Sequence, residues 1–192
     1  EVVILIGVGM IPHNWKRVAN YLDKEEWKKA RELIKKLLKK PTEDDHWLFL
    51  ALSRTYYMQS DSEKGLIYIK KALSIAPKCP SALFEYADIL YSLERIKEAI
   101  EVYQRLINRG VKSIACGDCG EGLGDARGMQ ADCYHRIAEC YEDLHKLDKT
   151  IKYYKKHISL RGPGCYSMYS MKEVRNSLKG AVDELKAWRS LR

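Results

Sequence analysis

The chain has 192 residues, of which 46% are hydrophobic and 31% are charged, an ordinary composition for a soluble globular protein. Six cysteines in this length exclude a disulfide scaffold, and only 5 prolines and 12 glycines favour long helices with short connections. A net charge of +8 is compatible with an acidic peptide, nucleic acid or an anionic surface as partner, and equally with a well-solvated surface.

The first segment of the chain is an apolar run, VVILIGVGMI, at residues 2–11. It is shorter than the roughly 20 residues that span a bilayer, and it lacks the basic leader and cleavage site of a signal peptide. Its Gly7-Val8-Gly9 begins like a dinucleotide-binding fingerprint, but Pro12 replaces the third glycine and no βαβ pattern follows. Residues 1–11 are interpreted as an N-terminal extension, and a reducing, cytoplasmic location is predicted.

The rest of the chain is built from an internal repeat. Sliding residues 45–77 by 34 positions places Phe49 on Leu83 and Ser53 on Ala87, so large residues meet large ones and small residues meet small ones. The same register needs offsets of 34 and 35 towards the N-terminus and 51 towards the C-terminus. Because 51 exceeds 34 by 17, the unusual stretch IACGDCGEGLGDARG at 114–128 lies in an insertion between two units.

Each unit has the spacing of two amphipathic helices. In the first unit, residues 15, 18, 19 and 22 follow the i, i+3, i+4, i+7 pattern of one helix face. Short polar turns at 23–25, 60–62 and 146–148 separate the helices of a pair. Small residues recur where two helices must approach closely: Ala19, Ala30, Ser53, Gly65, Ala72, Ala87, Ala99 and Ala138.

Residues 12–163 resemble the tetratricopeptide repeat family, whose unit is a 34-residue helix–turn–helix. The second unit matches the family pattern best, at Phe49, Leu52, Ser53, Tyr56, Gly65, Ile69, Ala72 and Pro77. The resemblance implies an all-α fold, a right-handed superhelix of antiparallel helix pairs. The predicted units are residues 12–45, 46–79, 80–113 and 131–163, with an inserted loop at 114–130.

Residues 164–192 depart from the repeat and predict a C-terminal capping helix. Ser170 and Glu173 have the spacing of a capping box. One apolar stripe follows: Met171, Val174, Leu178, Val182, Leu185, Trp188 and Leu191. A single helix after a repeat array covers its last face. The alternative is a helix that docks a partner or a second copy of the chain, which would give a homo-oligomer.

The resemblance further implies a concave groove, lined by the first helix of each unit, that binds a peptide or a partner helix. Side chains on these helices that avoid the core stripe are the candidate groove residues: Lys16, Arg17, Asn20, Trp47, Leu50, Arg54, Tyr57, Phe84, Asp88, Tyr91, His135, Arg136 and Glu139. Trp47, Tyr57, Phe84 and Tyr91 are interpreted as aromatic anchors. Lys16, Arg54 and Arg136 are expected to select acidic groups. The predicted function is therefore a non-catalytic protein-interaction module.

Two more specific binding functions are weaker alternatives. Some proteins of this family clamp the acidic C-terminus of a chaperone, and Lys16-x-x-x-Asn20 matches the first part of that pattern, but Ala51, Ser81 and Glu85 break it. The first unit also carries six lysines and one arginine between 28 and 40, which could contact nucleic acid or an anionic surface. Glutamates interleaved with these basic residues can pair with them and favour a solvated helix face, so nucleic acid is the less favoured partner.

The cysteines of the insertion suggest a third alternative, a metal-dependent module that uses the Cys116 and Cys119 loop, but they do not complete a metal site. Cys116 and Cys119 form one close pair, and a structural zinc site needs four nitrogen or sulfur ligands. Cys133 and Cys140 are further candidates, but a helix places them one and nearly two turns from the insertion. The favoured interpretation is a glycine-rich loop with incidental cysteines, so no metal and no cofactor are predicted. Catalytic motifs are absent from the sequence, and no enzymatic activity is predicted.

Overall fold

The computed structural model describes residues 15–40, 45–117, 119–120 and 122–191, and within these ranges all regular secondary structure is helical. The helices are α1 (Trp15–Asp23), α2 (Trp27–Leu37), α3 (Asp45–Tyr57), α4 (Ser62–Ile75), α5 (Pro80–Ser92), α6 (Ile96–Ala115), α7 (Gly122–Asp143), α8 (Leu147–Leu160) and α9 (Met171–Ser190). The first eight form four antiparallel pairs that stack in chain order, so the predicted all-α superhelix of helix pairs is confirmed. The apolar extension at 1–11 lies outside the described residues.

The turn inside each helix pair has the same backbone conformation in all four pairs. Its central residue has a positive φ: Glu25 (54°), Ser60 (61°), Glu94 (59°) and His145 (52°). In every case this residue donates its N–H to the carbonyl three residues earlier, and the next N–H donates to the carbonyl five residues before it. These two bonds make a Schellman motif. The four residues lie 35, 34 and 51 positions apart, the same offsets that align the repeats in the sequence.

Small residues allow the close approach of helices in the core. Ala30, Ser53, Ala72, Ala87, Ala99 and Ala138 are fully buried. Gly65 lies within α4, where an added Cβ would stand 3.3 Å from Ile89 Cδ1 and 3.5 Å from the Ser53 carbonyl. The Ser53 hydroxyl donates to the Gly65 carbonyl over 3.0 Å. Direct packing of α4 on α3 therefore compensates for the low helix propensity of glycine.

The inserted residues differ from their prediction. A loop was expected over 114–130, but α6 continues to Ala115 and α7 begins at Gly122, well before the fourth unit at 131. Gly110, with φ 74° and ψ 156°, interrupts α6 in a conformation that only glycine adopts readily. The glycine content favours a loop by local propensity. Burial of Ala126 and Gly128 on α7 outweighs that preference.

Helix α9 packs on the last helix pair. Ser170 caps its N-terminus and exchanges bonds with Glu173, so the predicted capping box is confirmed. Val174 is fully buried against Ala138 and Tyr154 of the fourth pair. Most of the C-terminal half of α9 is exposed to solvent, including Trp188 at 47%. Among the described helices, no segment is both long and apolar enough to cross a bilayer.

Candidate binding groove

The first helices of the second, third and fourth pairs are joined side by side through charged side chains. Arg54 and Tyr57 lie one turn apart on α3, and Glu85 and Asp88 have the same spacing on α5. Residues three apart share a helix face, so each pair of side chains points to the same side. Arg54, Glu85 and Asp88, together with Arg136 and Glu139 on α7, form what we call the charged face.

The link between α3 and α5 is a buried ion pair. Arg54 Nε lies 2.8 Å from Glu85 Oε2, and the Glu85 side chain is only 6% exposed. Burial raises the pKa of Glu85, and the nearby Arg54 guanidinium opposes that rise. Separating a buried carboxylate from its charged partner leaves an uncompensated charge and is costly, so this pair holds α3 and α5 in a defined relation.

The link between α5 and α7 depends on Arg136. Its Nε lies 3.0 Å from Asp88 Oδ1, although the N–H is not well aimed at that oxygen, and its Nη1 donates to Glu139 Oε2 over 3.1 Å. Tyr103 also donates its hydroxyl to Asp88. Burial raises the pKa of Asp88, against the effect of Arg136. Burial acts in the same direction on Glu139, but His135 and Arg136 outweigh it and lower the pKa of that carboxyl.

Two tyrosines border the charged face and remain partly exposed. Tyr57 is half-buried, and burial followed by the charge of Asp88 raises its pKa. Tyr91 is also half-buried and donates its hydroxyl to Asp143 Oδ2 over 2.6 Å. Both rings combine apolar area with a polar tip, a combination that is common at protein interfaces. They are the predicted aromatic anchors that the structure leaves accessible.

Several other predicted groove residues are placed differently. Trp47 and Phe84 are each 8% exposed and Leu50 is 4% exposed, so all three belong to the hydrophobic core rather than to a binding surface. Bulky apolar side chains gain most when fully removed from water, which explains why they turn inward here. The first-unit candidates Lys16, Arg17 and Asn20 are exposed on α1.

Arg54 and Arg136, the two arginines predicted to select acidic groups of a partner, already form ion pairs within the chain. Arg54 is paired with Glu85, and Arg136 is paired with Asp88 and Glu139. The expectation that these arginines select acidic groups of a partner therefore loses its basis, because their charge is balanced within the chain. Sequence spacing placed the arginines on the correct helices but could not show their partners Glu85 and Asp88, which lie 31 and 48 residues away in the chain.

Residue His135 is covered by a segment of the chain itself. Residues 165–169, between α8 and α9, lie against α7 and are called here the strap. The Tyr169 ring stacks on His135 with centroids 3.6 Å apart, and Arg161 donates to the Tyr169 carbonyl over 2.6 Å. The strap thus occupies part of the fourth helix pair that a partner was expected to contact.

The strap is fixed to α7 at Asp132 and Gly128. Asp132 accepts one hydrogen bond from the Ser167 hydroxyl and another, of 3.0 Å, from the Met168 N–H. An added Cβ at Gly128 would lie 1.6 Å from the Tyr166 carbonyl oxygen. The backbone of residue 166 therefore passes directly over Gly128. This close approach explains why a glycine stands at this position in α7, where the sequence predicts a loop.

Titration of Asp132 gives the strap a predicted pH dependence. Burial is the main cause that raises the pKa of Asp132 to about 6, against hydrogen bonds from Ser167 and Met168 and the charges of His135 and Arg161. A carboxyl whose pKa is higher in the folded state stabilises the fold at low pH, and this contribution is lost as pH rises through 6. Between pH 4 and pH 7 this loss should lower the free energy of unfolding of the native chain by about 2 to 3 kcal/mol. In Asp132→Asn this decrease should be absent.

The measurement is urea unfolding of the native chain and the variant at both pH values. Asparagine can accept from the Met168 N–H and donate to the Ser167 hydroxyl oxygen, so it retains the strap without a titrating group. Equal pH slopes for the two proteins would contradict the assignment to Asp132.

The four cysteines considered as metal ligands are dispersed. Cys116 is exposed, whereas Cys133 and Cys140 are fully buried in α7. Cys119 is the exception, because its sulfur lies 3.4 Å from Nε2 of His46, a residue that the sequence did not associate with it. The four candidate cysteines therefore do not form one ligand group among the described residues. No local spacing could have found the contact, since 73 residues separate its two partners.

Comparison with known proteins agrees with the architecture. Tetratricopeptide repeat family models match residues 81–109 and 131–162. No curated protein sequence matches the chain. Among solved structures, the TPR2AB domain of yeast Sti1 in complex with pHSP90 superposes with a TM-score of 0.60 at 19% identity, over 75% of this chain and 48% of that one.

Two further structures extend the comparison. The C-terminal part of a TPR repeat-containing protein from Cytophaga hutchinsonii has a TM-score of 0.66 at 17% identity, over 91% of this chain and 59% of that one. The protein MamA has a TM-score of 0.58 at 19% identity, over 90% and 96%. At these identities the likeness concerns the fold alone. The chain spans about half of the Sti1 fragment and three-fifths of the Cytophaga one.

Proposed function

Because the chain is a tetratricopeptide repeat protein, we propose that it is a non-catalytic interaction module, working in the cytoplasm, that binds a peptide segment or helix of another protein across α3, α5 and α7. The observation that carries the proposal is the charged face with its two bordering tyrosines. Arg54–Glu85 and Asp88–Arg136 fix three first helices relative to one another. A surface that is already ordered loses little conformational entropy when a partner binds.

Tyr57 and Tyr91 supply the apolar contact area in this proposal. Tyrosine is enriched among residues that dominate binding energy, since it buries a large ring at a low entropic cost. Tyr91 is held by its bond to Asp143, and Tyr57 lies within electrostatic reach of Asp88 and Glu139. The two rings therefore stand at fixed positions beside charged groups that can orient a partner.

Charge suggests how a partner would lie. Beyond the Arg54–Glu85 and Arg136–Asp88 pairs, two further carboxylates lie on or beside the charged face: Glu139, and Asp143 at Tyr91. The excess of negative charge favours a basic group of the partner over α5 and α7. The exposed Lys16 and Arg17 on α1 favour an acidic group at the opposite end. The complex of the Sti1 domain with pHSP90 supports peptide binding by this fold, but Ala51, Ser81 and Glu85 argue against the same ligand here.

The test compares two double variants against peptides selected on the native chain from a displayed random-peptide library. Tyr57→Ala with Tyr91→Ala is expected to weaken the selected peptides at least about tenfold, which corresponds to about 1.4 kcal/mol. The matched control is Ile67→Ala with Ile75→Ala, which removes exposed apolar area from α4, outside the charged face. Both proteins are first checked for native helicity by circular dichroism.

Three results would count against the proposal. The library could yield no binder, the tyrosine variant could bind as the native chain does, or the α4 control could lose affinity equally. The rival in which the basic first unit binds nucleic acid is separated by salt, since binding driven by phosphate contacts weakens steeply as salt concentration rises. Peptide affinity that depends on Tyr57 and Tyr91 is expected to change much less.

A further inference from the structure

Three potential metal ligands from distant parts of the chain meet at one edge of the repeat array. His46 is the second residue of α3, Cys79 is the N-cap of α5, and Cys119 lies between α6 and α7. One donor atom of each, the imidazole nitrogen or the sulfur, lies within 4.8 Å of the other two. Their exposed fractions are 6%, 1% and 9%. A buried cluster of this composition is unlike the dispersed acidic groups of a protein surface.

The distances fit the dimensions of a tetrahedral zinc site. Zinc bonded at about 2.3 Å to sulfur and about 2.0 Å to nitrogen sets those two atoms about 3.5 Å apart, and it sets two sulfurs about 3.8 Å apart. Cys119 Sγ and His46 Nε2 are separated by 3.4 Å. With every donor pair within 4.8 Å, the two sulfurs need to close by about 1 Å or less, and the pair of His46 and Cys79 by about 1.3 Å or less, to share one ion.

The donor set also determines which ion is suitable. Two sulfurs and an imidazole nitrogen favour zinc or another thiophilic ion over magnesium or calcium, which prefer oxygen ligands. Cys79 occupies the N-cap position of α5, where the helix dipole favours the negative charge of a thiolate. Burial limits competition from solvent. Composition, charge and geometry therefore indicate the same class of ion.

We propose that His46, Cys79 and Cys119 bind one zinc ion, with a fourth position open to water or to another donor. Binding releases the two thiol protons to solvent and forms two zinc–sulfur bonds and one zinc–nitrogen bond. Through these three ligands the ion joins the insertion, at Cys119, to the N-terminal ends of α3 and α5. This role is independent of the charged face, so it adds a site to the interaction module and does not rest on the proposed partner.

The test measures metal binding by the purified full chain, reduced and stripped of metal before Zn²⁺ or Co²⁺ is added. Elemental analysis is expected to find about one zinc per native chain. Co²⁺ is expected to produce the near-ultraviolet charge-transfer absorption of cobalt–thiolate bonds. Cys79→Ser and Cys119→Ser should each weaken zinc binding by more than about tenfold, as loss of a direct ligand exceeds the effect of outer-shell changes.

The matched control is Cys116→Ser, which removes the exposed cysteine three residues from Cys119 and leaves the three ligands intact. It should bind zinc like the native chain. Equal loss in this variant would assign the metal to the Cys116–Cys119 pair and overturn the proposal. If either ligand variant fails to fold, the native chain decides. If the native chain binds far less than one zinc and shows no cobalt–thiolate absorption, the proposal is overturned. The 3.4 Å contact between Cys119 and His46 is then only a thiol–imidazole hydrogen bond.

Discussion

Replacing Gly128 with alanine is expected to release the strap from α7 and to lower the free energy of unfolding by about 3 kcal/mol or more. A Cβ at this position would lie 1.6 Å from the Tyr166 carbonyl oxygen and 2.3 Å from its carbon. These are backbone atoms, so no side-chain rotation can relieve the overlap. Moving the strap also costs the bonds of Asp132 to Ser167 and Met168.

Two other glycines provide the controls for this prediction. Gly180 lies on the exposed side of α9 with no atom within 4 Å of an added Cβ, so Gly180→Ala should stabilise the chain by about 0.5 to 1 kcal/mol. Gly124 faces the Tyr166 ring, which is exposed and can turn away, so Gly124→Ala should cost less than Gly128→Ala. Urea unfolding ranks the three. If Gly128→Ala proves no worse than Gly124→Ala, the strap does not lie where described.

Replacing Arg136 with methionine is expected to lower the free energy of unfolding by about 3 to 5 kcal/mol at pH 7. The substitution keeps much of the side-chain length but leaves the buried Asp88 with only the Tyr103 hydroxyl and places it near Glu139 without an intervening cation. An uncompensated buried carboxylate is among the costliest local changes in a folded chain. Chemical unfolding of both proteins measures the difference.

Two further results are expected for Arg136→Met. Because burial already raises the pKa of Asp88, the deficit should shrink at acidic pH, where that carboxyl is protonated in the folded state. Adding Asp88→Asn to Arg136→Met should restore part of the lost stability, since it removes the stranded charge. An exposed pair gives the control: Arg95→Met breaks the contact with Glu98 and should lower the free energy of unfolding far less than Arg136→Met does, because water screens this pair. A similar cost for both arginine variants would show that burial does not strengthen the Arg136 pairs.

The repeat architecture was predictable because it depends on properties that recur along the chain. A helix face needs apolar residues every three or four positions, and stacking needs the same pattern in every unit, so one register of Ser53, Ala87 and Ala138 reports both. The capping box at Ser170 is likewise local, since its two bonds join residues three apart. Fold and helix pairing therefore follow from short-range spacing.

The contents of the candidate site were less predictable because they depend on contacts between distant residues. Whether Arg54 meets solvent or Glu85 is decided by how α3 and α5 pack, and neither residue differs in type from an exposed one. Trp47 and Phe84 suit an anchor and a core residue equally well by composition. The strap escaped prediction because residues 165–169 carry no helical or strand period. The requirement for glycine at position 128 becomes clear only when the backbone of Tyr166 is placed over it.

The four Schellman turns have a consequence for variation in this protein. Each turn is closed by backbone N–H and carbonyl groups alone, so the angle between paired helices is set without any particular side chain. Glutamate, serine, glutamate and histidine occupy the central position in turn, which shows that the geometry accepts unrelated residues. The edge of the array that these turns form can therefore change its charge and chemistry, while the backbone that joins the helices of each pair keeps the same conformation.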